Sequence, residues 1–370
     1  MKTRICQTLG IEVPIFAFSH CRDVVVEVSK AGGLGVLGVT YKTPEELEQE
    51  LRWIDDHIAG KPYGIDVLIP NKYDKSARLR IDPNDLPKEQ VEFMRRVLDE
   101  AGVARLPPGE GEAMVRERLA RIHMTPEHVV ELMEVALRHP IKAVVNALGV
   151  PPKDQVERLH ARGIKVGSMV GKVEHAINHK AAGVDFVVAQ GMEAAGHTGK
   201  ITSMLLWPQV IDAVRPLPVL AAGGIASGRQ MAAAMAMGAD GVWCGSVWLG
   251  TRESEVLPDV KQKFYKATSE DTVQSRLRSG KPARVLRSAL SDAWERPDAP
   301  PFAPMPYQTM LMVEPHLRAE RGDKIDYKYY PVGQAVGMMN AETSCKQVIY
   351  DMMNEFVEAS QALCRLIESD

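Results

Sequence analysis

Apolar residues in this chain gather into short unbroken runs, and amphipathic stretches separate the runs. The runs cover residues 13–18, 34–38, 63–70, 143–148, 165–170, 185–190, 219–222 and 242–244. A strand buried on both faces reads this way, because both sets of its side chains need apolar neighbours. Helical spacing fills the intervals, over 24–31, 43–58, 153–162, 173–182, 204–214 and 229–237. Two starts carry strong signals. Thr43-Pro44-Glu45-Glu46 offers an N-cap, a proline for the first turn and a capping-box glutamate, and Thr125-Pro126-Glu127 opens a helix in the same way. Strand and helix alternate eight times. That predicts a closed parallel (β/α)8 barrel, a TIM barrel, with an open doubly wound sheet as the competing arrangement.

Two regions depart from this rhythm. Residues 71–124 follow the third strand and are charged, with breaks at Asp82-Pro83-Asn84-Asp85 and Pro107-Pro108-Gly109-Glu110-Gly111. Inside them Val91, Phe93, Met94, Val97 and Leu98 fall on one face of a helix near 89–101, and such a face needs a surface to cover. A βα insertion emerges at the carboxyl-terminal face of a barrel, so it is expected to be a lid. Its partner would be the C-terminal segment or a second subunit, which makes a homodimer one expected state. Residues 256–370 form an extension expected to be mainly helical. It holds a basic helical piece (Arg276, Arg278, Arg284, Arg287), a proline-rich segment at 297–306, a tyrosine cluster (Tyr327, Tyr329, Tyr330) and a terminal amphipathic helix from about Cys345. The barrel is then expected to comprise residues 1–70 and 125–255.

Composition excludes more than it assigns. With 370 residues and a net charge of −3, the chain has no electrostatic footprint for nucleic acid or for an anionic membrane. No apolar run approaches a membrane span, and the N-terminus leads into no secretory segment, so the cytoplasm is the expected location. The five cysteines are odd in number, scattered and without a CxxC pair. Neither a disulfide framework nor a metal site is expected.

Candidate chemistry sits where strands end. The sixth strand breaks on Gly191, and His197 follows in a loop between Gly196 and Gly199. That places an imidazole at the carboxyl edge of the barrel, where such folds keep their reactive groups. Gly223 and Gly224 end the seventh strand; Gly245 and Ser246 end the eighth. Paired glycine loops at the last two strands suit a phosphate, because backbone N–H groups can approach it closely. A phosphate anchor opposite a histidine leaves room for a flat phosphorylated cofactor. No lysine stands in a Schiff-base setting at the ends of strands four to six, so FMN fits better than pyridoxal phosphate. Glu193 could orient His197 or simply be solvated, and His20 could face the site. Cys244 reads as a buried, inert thiol. Met231, Met235 and Met237 read as core filling. Asp185 and Asp240 precede strands, at the end of the barrel that serves stability.

The combination Ala189-Gln190-Gly191-x-Glu193-Ala194-x-Gly196-His197-x-Gly199, then Ala222-Gly223-Gly224-Ile225, then Gly245-Ser246, resembles the nitronate monooxygenase (2-nitropropane dioxygenase) family. Ala31-Gly32-Gly33-Leu34-Gly35 and Lys61-Pro62-Tyr63-Gly64-Ile65 extend the resemblance, and Pro331-Val332-Gly333-Gln334 adds to it weakly. The resemblance implies an FMN-dependent TIM barrel with His197 as catalytic base. It also implies FMN contacts from Gln190, Gly196, Gly223, Gly224, Gly245 and Ser246, and from the positions of Ala17 and Asp66. Three positions depart from the family. Ala17-Phe18-Ser19 replaces a glutamine and small glycines, Asp66 stands where asparagine is frequent, and Met169 stands where some relatives have lysine. The activity implied is oxidation of a small alkyl nitronate by molecular oxygen. The same superfamily holds NAD(P)H-dependent reductases of quinones and of enoyl or CoA-linked substrates, which share the histidine loop. A non-catalytic flavin-binding barrel is the third reading.

Overall fold

The computed structural model describes residues 1–69, 85–120, 126–322 and 324–367. Eight strands follow one another around a closed barrel: β1 (Ile15–Ser19), β2 (Leu34–Gly38), β3 (Tyr63–Val67), β4 (Ala143–Asn146), β5 (Lys165–Val170), β6 (Phe186–Gln190), β8 (Val219–Ala222) and β9 (Gly241–Cys244). Every pairing in the ring is parallel, and β9 closes it by pairing with β1, Ile15 against Val242. That closure excludes the open sheet and gives the expected TIM barrel.

Strand alternation sorts the side chains into two cores. Ile15, Ala17, Ile65, Val67, Val187 and Ala189 point outward into the helical layer. Phe16, Leu34, Val36, Val145, Phe186, Val188, Leu220 and Trp243 point inward and fill the barrel. Phe16 lies between Phe186 and Trp243, with ring centroids 5.9 and 6.1 Å away. Gly167 makes room for Phe186, since a Cβ there would stand 2.3 Å from its ring. The short helix Arg4–Leu9 plugs the amino-terminal end with Ile5, Cys6 and Leu9. Nearby Asp240 pairs with Arg4 at 3.1 Å and accepts from the Val219 N–H, while Asp185 accepts from the Val166 N–H. Both acids serve stability, as their position predicted. The capping box at Thr43 forms with Glu46 on the helix Pro44–His57. The breaks at Asp82-Pro83-Asn84 and the helix start at Thr125 lie outside the described residues.

The insertion and the extension share a core of their own. The helix Lys88–Glu100 sets Phe93, Met94, Val97 and Leu98 against Leu277, Leu290, Trp294, Leu311 and Met312. Of the two expected partner surfaces, it is therefore the C-terminal segment that this helix covers. Arg318 pins the two parts together. Its buried guanidinium donates to the Asp99 carboxylate (2.7 Å) and to the carbonyls of Val103 (2.6 Å) and Ala104 (3.1 Å). Arg318→Met strands those acceptors, so urea unfolding is expected to show a loss of about 2–3 kcal/mol.

The extension is not helical throughout. Its basic piece contains β10 (Thr272–Ser275) and β11 (Ala283–Leu286), which pair antiparallel. Arg284 lies in a strand, not in the expected helix. Its charge suggested a helix surface, but the side chain is buried and donates to the Met192 carbonyl and the Thr272 hydroxyl. The edge of β11 then pairs with a two-residue strand, β7 (Gly196–His197), on the barrel loop. Among the described residues no helix is long and apolar enough to cross a membrane.

Candidate active site

The inward positions nearest the carboxyl-terminal rim are Phe18, Gly38, Asp66, Met169, Gln190, Ala222 and Gly245, one from each of seven strands or their ends. Phe18 and Trp243 stack at 6.2 Å and give the opening an aromatic floor. The Ala17 side chain does not line this opening. It has the opposite parity on β1 and lies fully buried in the outer core, so Phe18 is the residue that β1 presents. Cys244 also faces outward, and burial pushes its thiol up to about 12, in keeping with an inert role.

His197 stands over this rim because β11 holds it there. It pairs with Ala283, and Gly196 beside it adopts the left-handed conformation (φ 70°) that the loop requires. Its Nε2 lies 2.6 Å from the buried hydroxyl of Ser279. Burial, followed by the positive charges of Arg278 and Lys281, brings the imidazole down to about 4. At neutral pH the ring is therefore uncharged. In the tautomer whose Nε2–H donates to Ser279, Nδ1 carries the free lone pair, and among the described residues nothing bonds to it. Glu193 does neither of the things expected of it. Its carboxylate accepts from the Ser203 N–H (3.0 and 3.1 Å) and hydroxyl (2.8 Å), at the start of the helix Ser203–Val214. A helix N-terminus with unpaired N–H groups attracts a carboxylate more strongly than a neutral imidazole does.

Across the opening, Gly223 and Gly224 both have positive φ (107° and 71°) and lead into the helix Gly228–Ala236. Gln230 fixes the Gly224 peptide by donating to its carbonyl at 2.7 Å. Gly245 leads into the helix Ser246–Leu249, and a Cβ at Gly245 would meet no atom within 4 Å. Among the described residues, the N–H groups of Gly223, Gly224, Gly245 and Ser246 have no protein acceptor. Four free donors on two adjacent strand ends fit a phosphate. The Ser246 hydroxyl accepts from the Gly333 N–H at 2.8 Å and keeps its own proton to donate. The Gln334 N–H reaches the Glu193 carbonyl at 3.0 Å, so the Pro331-Val332-Gly333-Gln334 segment ties the loop after β6 to the loop after β9.

Asp66 supplies a different signal. It is buried, its Oδ2 has no partner among the described residues, and burial holds its carboxyl group well above the usual carboxylate range. A buried carboxyl group pushed toward its protonated form can donate a hydrogen bond to a polar ring edge. With the aromatic floor and the phosphate cradle, it fits the flat phosphorylated cofactor expected from the sequence. Asn146, on β4, steadies the neighbouring loops: its side chain accepts from the Ile69 N–H and donates to the carbonyls of Leu148 and Gly149.

Three residues at this face, Ser279, Arg278 and Tyr41, were not legible as such, whereas His20 was. Ser279 sits 82 positions from the histidine it holds. Arg278 donates to the Tyr41 hydroxyl at 3.2 Å, and its guanidinium lies 5.9 Å over the Tyr41 ring. His20 does face the site; its Nδ1 is 3.0 Å from the Gly38 carbonyl, and its ring stands edge-on to Phe18 at 5.2 Å. His20 and His197 both keep accessible surface while burial dominates their titration.

The comparisons agree with this architecture. The chain is 47% identical over 374 residues to a provisionally named monooxygenase of Mycobacterium tuberculosis, covering 100% of both proteins. A provisionally named nitronate monooxygenase of Staphylococcus saprophyticus is 32% identical over 304 residues, which cover 78% of this chain and 79% of that protein. Among solved structures, nitroalkane oxidase from Streptomyces ansochromogenes superposes with a TM-score of 0.79 at 26% identity, over 97% of this chain and 99% of that one. FabK from Thermotoga maritima does so with a TM-score of 0.73 at 27% identity, over 99% and 100%. The family model described as nitronate monooxygenase matches residues 4–355. The chain thus belongs to the nitronate monooxygenase family and is an oxidoreductase.

Proposed function

We propose that this enzyme binds FMN at the barrel mouth and oxidises small alkyl nitronates with molecular oxygen. The observation that carries the reading is the neutral imidazole of His197, fixed by Ser279 over a rim whose far side is a four-donor phosphate cradle. The donors of Gly223, Gly224, Gly245 and Ser246 would hold the phosphate, and Asp66 and Gln190 would meet the ring edge. When bound, the flavin supplies the electron acceptor that passes electrons on to oxygen. The chain's own part is to position substrate and to move a proton. A neutral nitroalkane must lose an α-proton to become a nitronate. Nδ1 of His197 would accept that proton while Nε2–H stays on Ser279. The cover made by the insertion and the extension would exclude water; its core runs up to Leu277, one residue before Arg278.

This reading fixes a pH dependence. The folded-state value of His197 lies below the ordinary value near 6.5, so the base stays unprotonated until the pH falls towards about 4. For a neutral nitroalkane, kcat/KM is expected to hold through pH 6 and to fall on the acid side near pH 4. An acid limb at 6.5 would show an imidazole in ordinary water. The linkage to stability has the same sign. Between about 4 and 6.5 the unfolded chain binds the proton and the native chain does not. Stability is therefore full above that window and declines as pH falls through it.

The proposal is tested by oxygen consumption. FMN-loaded enzyme with ethylnitronate should consume oxygen and release nitrite without NADH or NADPH. Oxygen uptake that depends wholly on a nicotinamide nucleotide would replace this reading with a reductase.

A further inference from the structure

We propose that Arg278 and Tyr41 form the anchor for a compact planar oxyanion, placed between His20 and His197 at the barrel mouth. This rests on the functional reading above for its substrate, a nitronate, but the site is described by its own geometry. Arg278 is part of the turn between β10 and β11, directly before Ser279, which holds His197 at 2.6 Å. On its other side it reaches Tyr41, donating to the hydroxyl at 3.2 Å and lying over the ring. Tyr41 in turn is 6.0 Å from the His20 ring. The guanidinium thus spans the gap between the two histidines, and its charge bears on both.

Three features make this arrangement a site and not a structural tie. Arg278 is half-buried and, like Arg276 and Arg284 of the same segment, enters no ion pair among the described residues, but unlike Arg284 it spends no donor on a backbone carbonyl. Only one of its five donors is used by a described protein group, so the rest of the fork is available. The guanidinium is half-buried beside two imidazoles that burial, and then its own charge, hold below the ordinary value, and no described carboxylate pairs with it. A guanidinium in such a place matches two coplanar oxygens bidentately, which a nitronate, a nitrate or a carboxylate presents. Tyr41 takes one N–H of the fork and lies under one face of the guanidinium. An anion bound there lies beside His197 with its charge offset, so the site favours the ionised substrate over its neutral parent.

The test uses FMN-loaded enzyme and sodium nitrate, a planar oxyanion that cannot turn over. Nitrate is titrated at constant ionic strength, and binding is followed by the change in the flavin spectrum and by competition with ethylnitronate. Wild type should bind nitrate. Arg278→Met should weaken nitrate binding and raise KM for ethylnitronate by roughly 10- to 100-fold, with FMN affinity unchanged. Arg278→Lys should fall between them, because it keeps the charge and loses the fork. Nitrate affinity equal in wild type and R278M, or absent from wild type at millimolar concentrations, overturns the anchor. Should R278M not fold, R278K decides: nitrate affinity within twofold of wild type overturns the bidentate assignment. The nitrate arm needs no turnover. An enzyme that ignores ethylnitronate but loses nitrate in R278M would refute the proposed reaction and leave the anion anchor standing.

Discussion

Replacing His197 with asparagine is expected to lower kcat/KM for a neutral nitroalkane by about 10²–10⁴-fold, the usual worth of general acid–base help. Pre-ionised nitronate should lose far less, because its proton is already gone. FMN affinity should be nearly unchanged, since the ring's hydrogen bond goes to Ser279 and the phosphate cradle lies across the opening. The pair of substrates is what makes the experiment informative. A histidine that only shapes the loop would depress both rates together, and equal losses would remove His197 from the role of base. The loop should survive the change, because β7 is held by its backbone pairing with β11 and by Arg284 on the Met192 carbonyl.

Gly245→Asp is expected to abolish FMN binding at micromolar cofactor while leaving the barrel folded. Gly245 has φ −121°, which any residue can adopt, and a Cβ there meets no protein atom within 4 Å. The substitution therefore costs the apoprotein little. It places a carboxylate among donors that would otherwise hold a phosphate, and like charges at that distance repel in a partly buried setting. Losing one or two charge-assisted hydrogen bonds alone is worth roughly a hundredfold in affinity. Fluorescence titration of FMN into apoprotein measures the loss, and apoprotein melting controls for folding. FMN binding within a few-fold of wild type would show that the phosphate does not sit on the loops after β8 and β9.

The barrel was legible in the sequence because its strands are buried on both faces. Unbroken runs such as Val187-Val188-Ala189 and Val219-Leu220-Ala221-Ala222 have few other uses, and the ends of the eight observed barrel strands lie at most three residues from the predicted ones. The glycine loops were legible for a related reason: Gly223 and Gly224 adopt backbone angles that L side chains rarely adopt. What the sequence hid lies in long-range pairings. β7 is two residues long and exists only because β11 supplies its partner. Ser279 carries no local mark of its contact with His197. Arg284 looked like helix surface because its charge was visible and its burial was not. On β1 the motif located the strand end, but parity decides which side chain enters the barrel, and parity selects Phe18 and turns the Ala17 side chain outward. Glu193 was near His197 in the chain, yet the free N–H at Ser203 was the stronger attractor.

The most direct test of the account is anaerobic. FMN-loaded enzyme is mixed, in separate samples, with ethylnitronate, NADH and NADPH, and the visible flavin absorbance is followed. Rapid loss of the absorbance with ethylnitronate, and none with either nucleotide, is the predicted result. Loss of the absorbance with NADH or NADPH and none with ethylnitronate would contradict it.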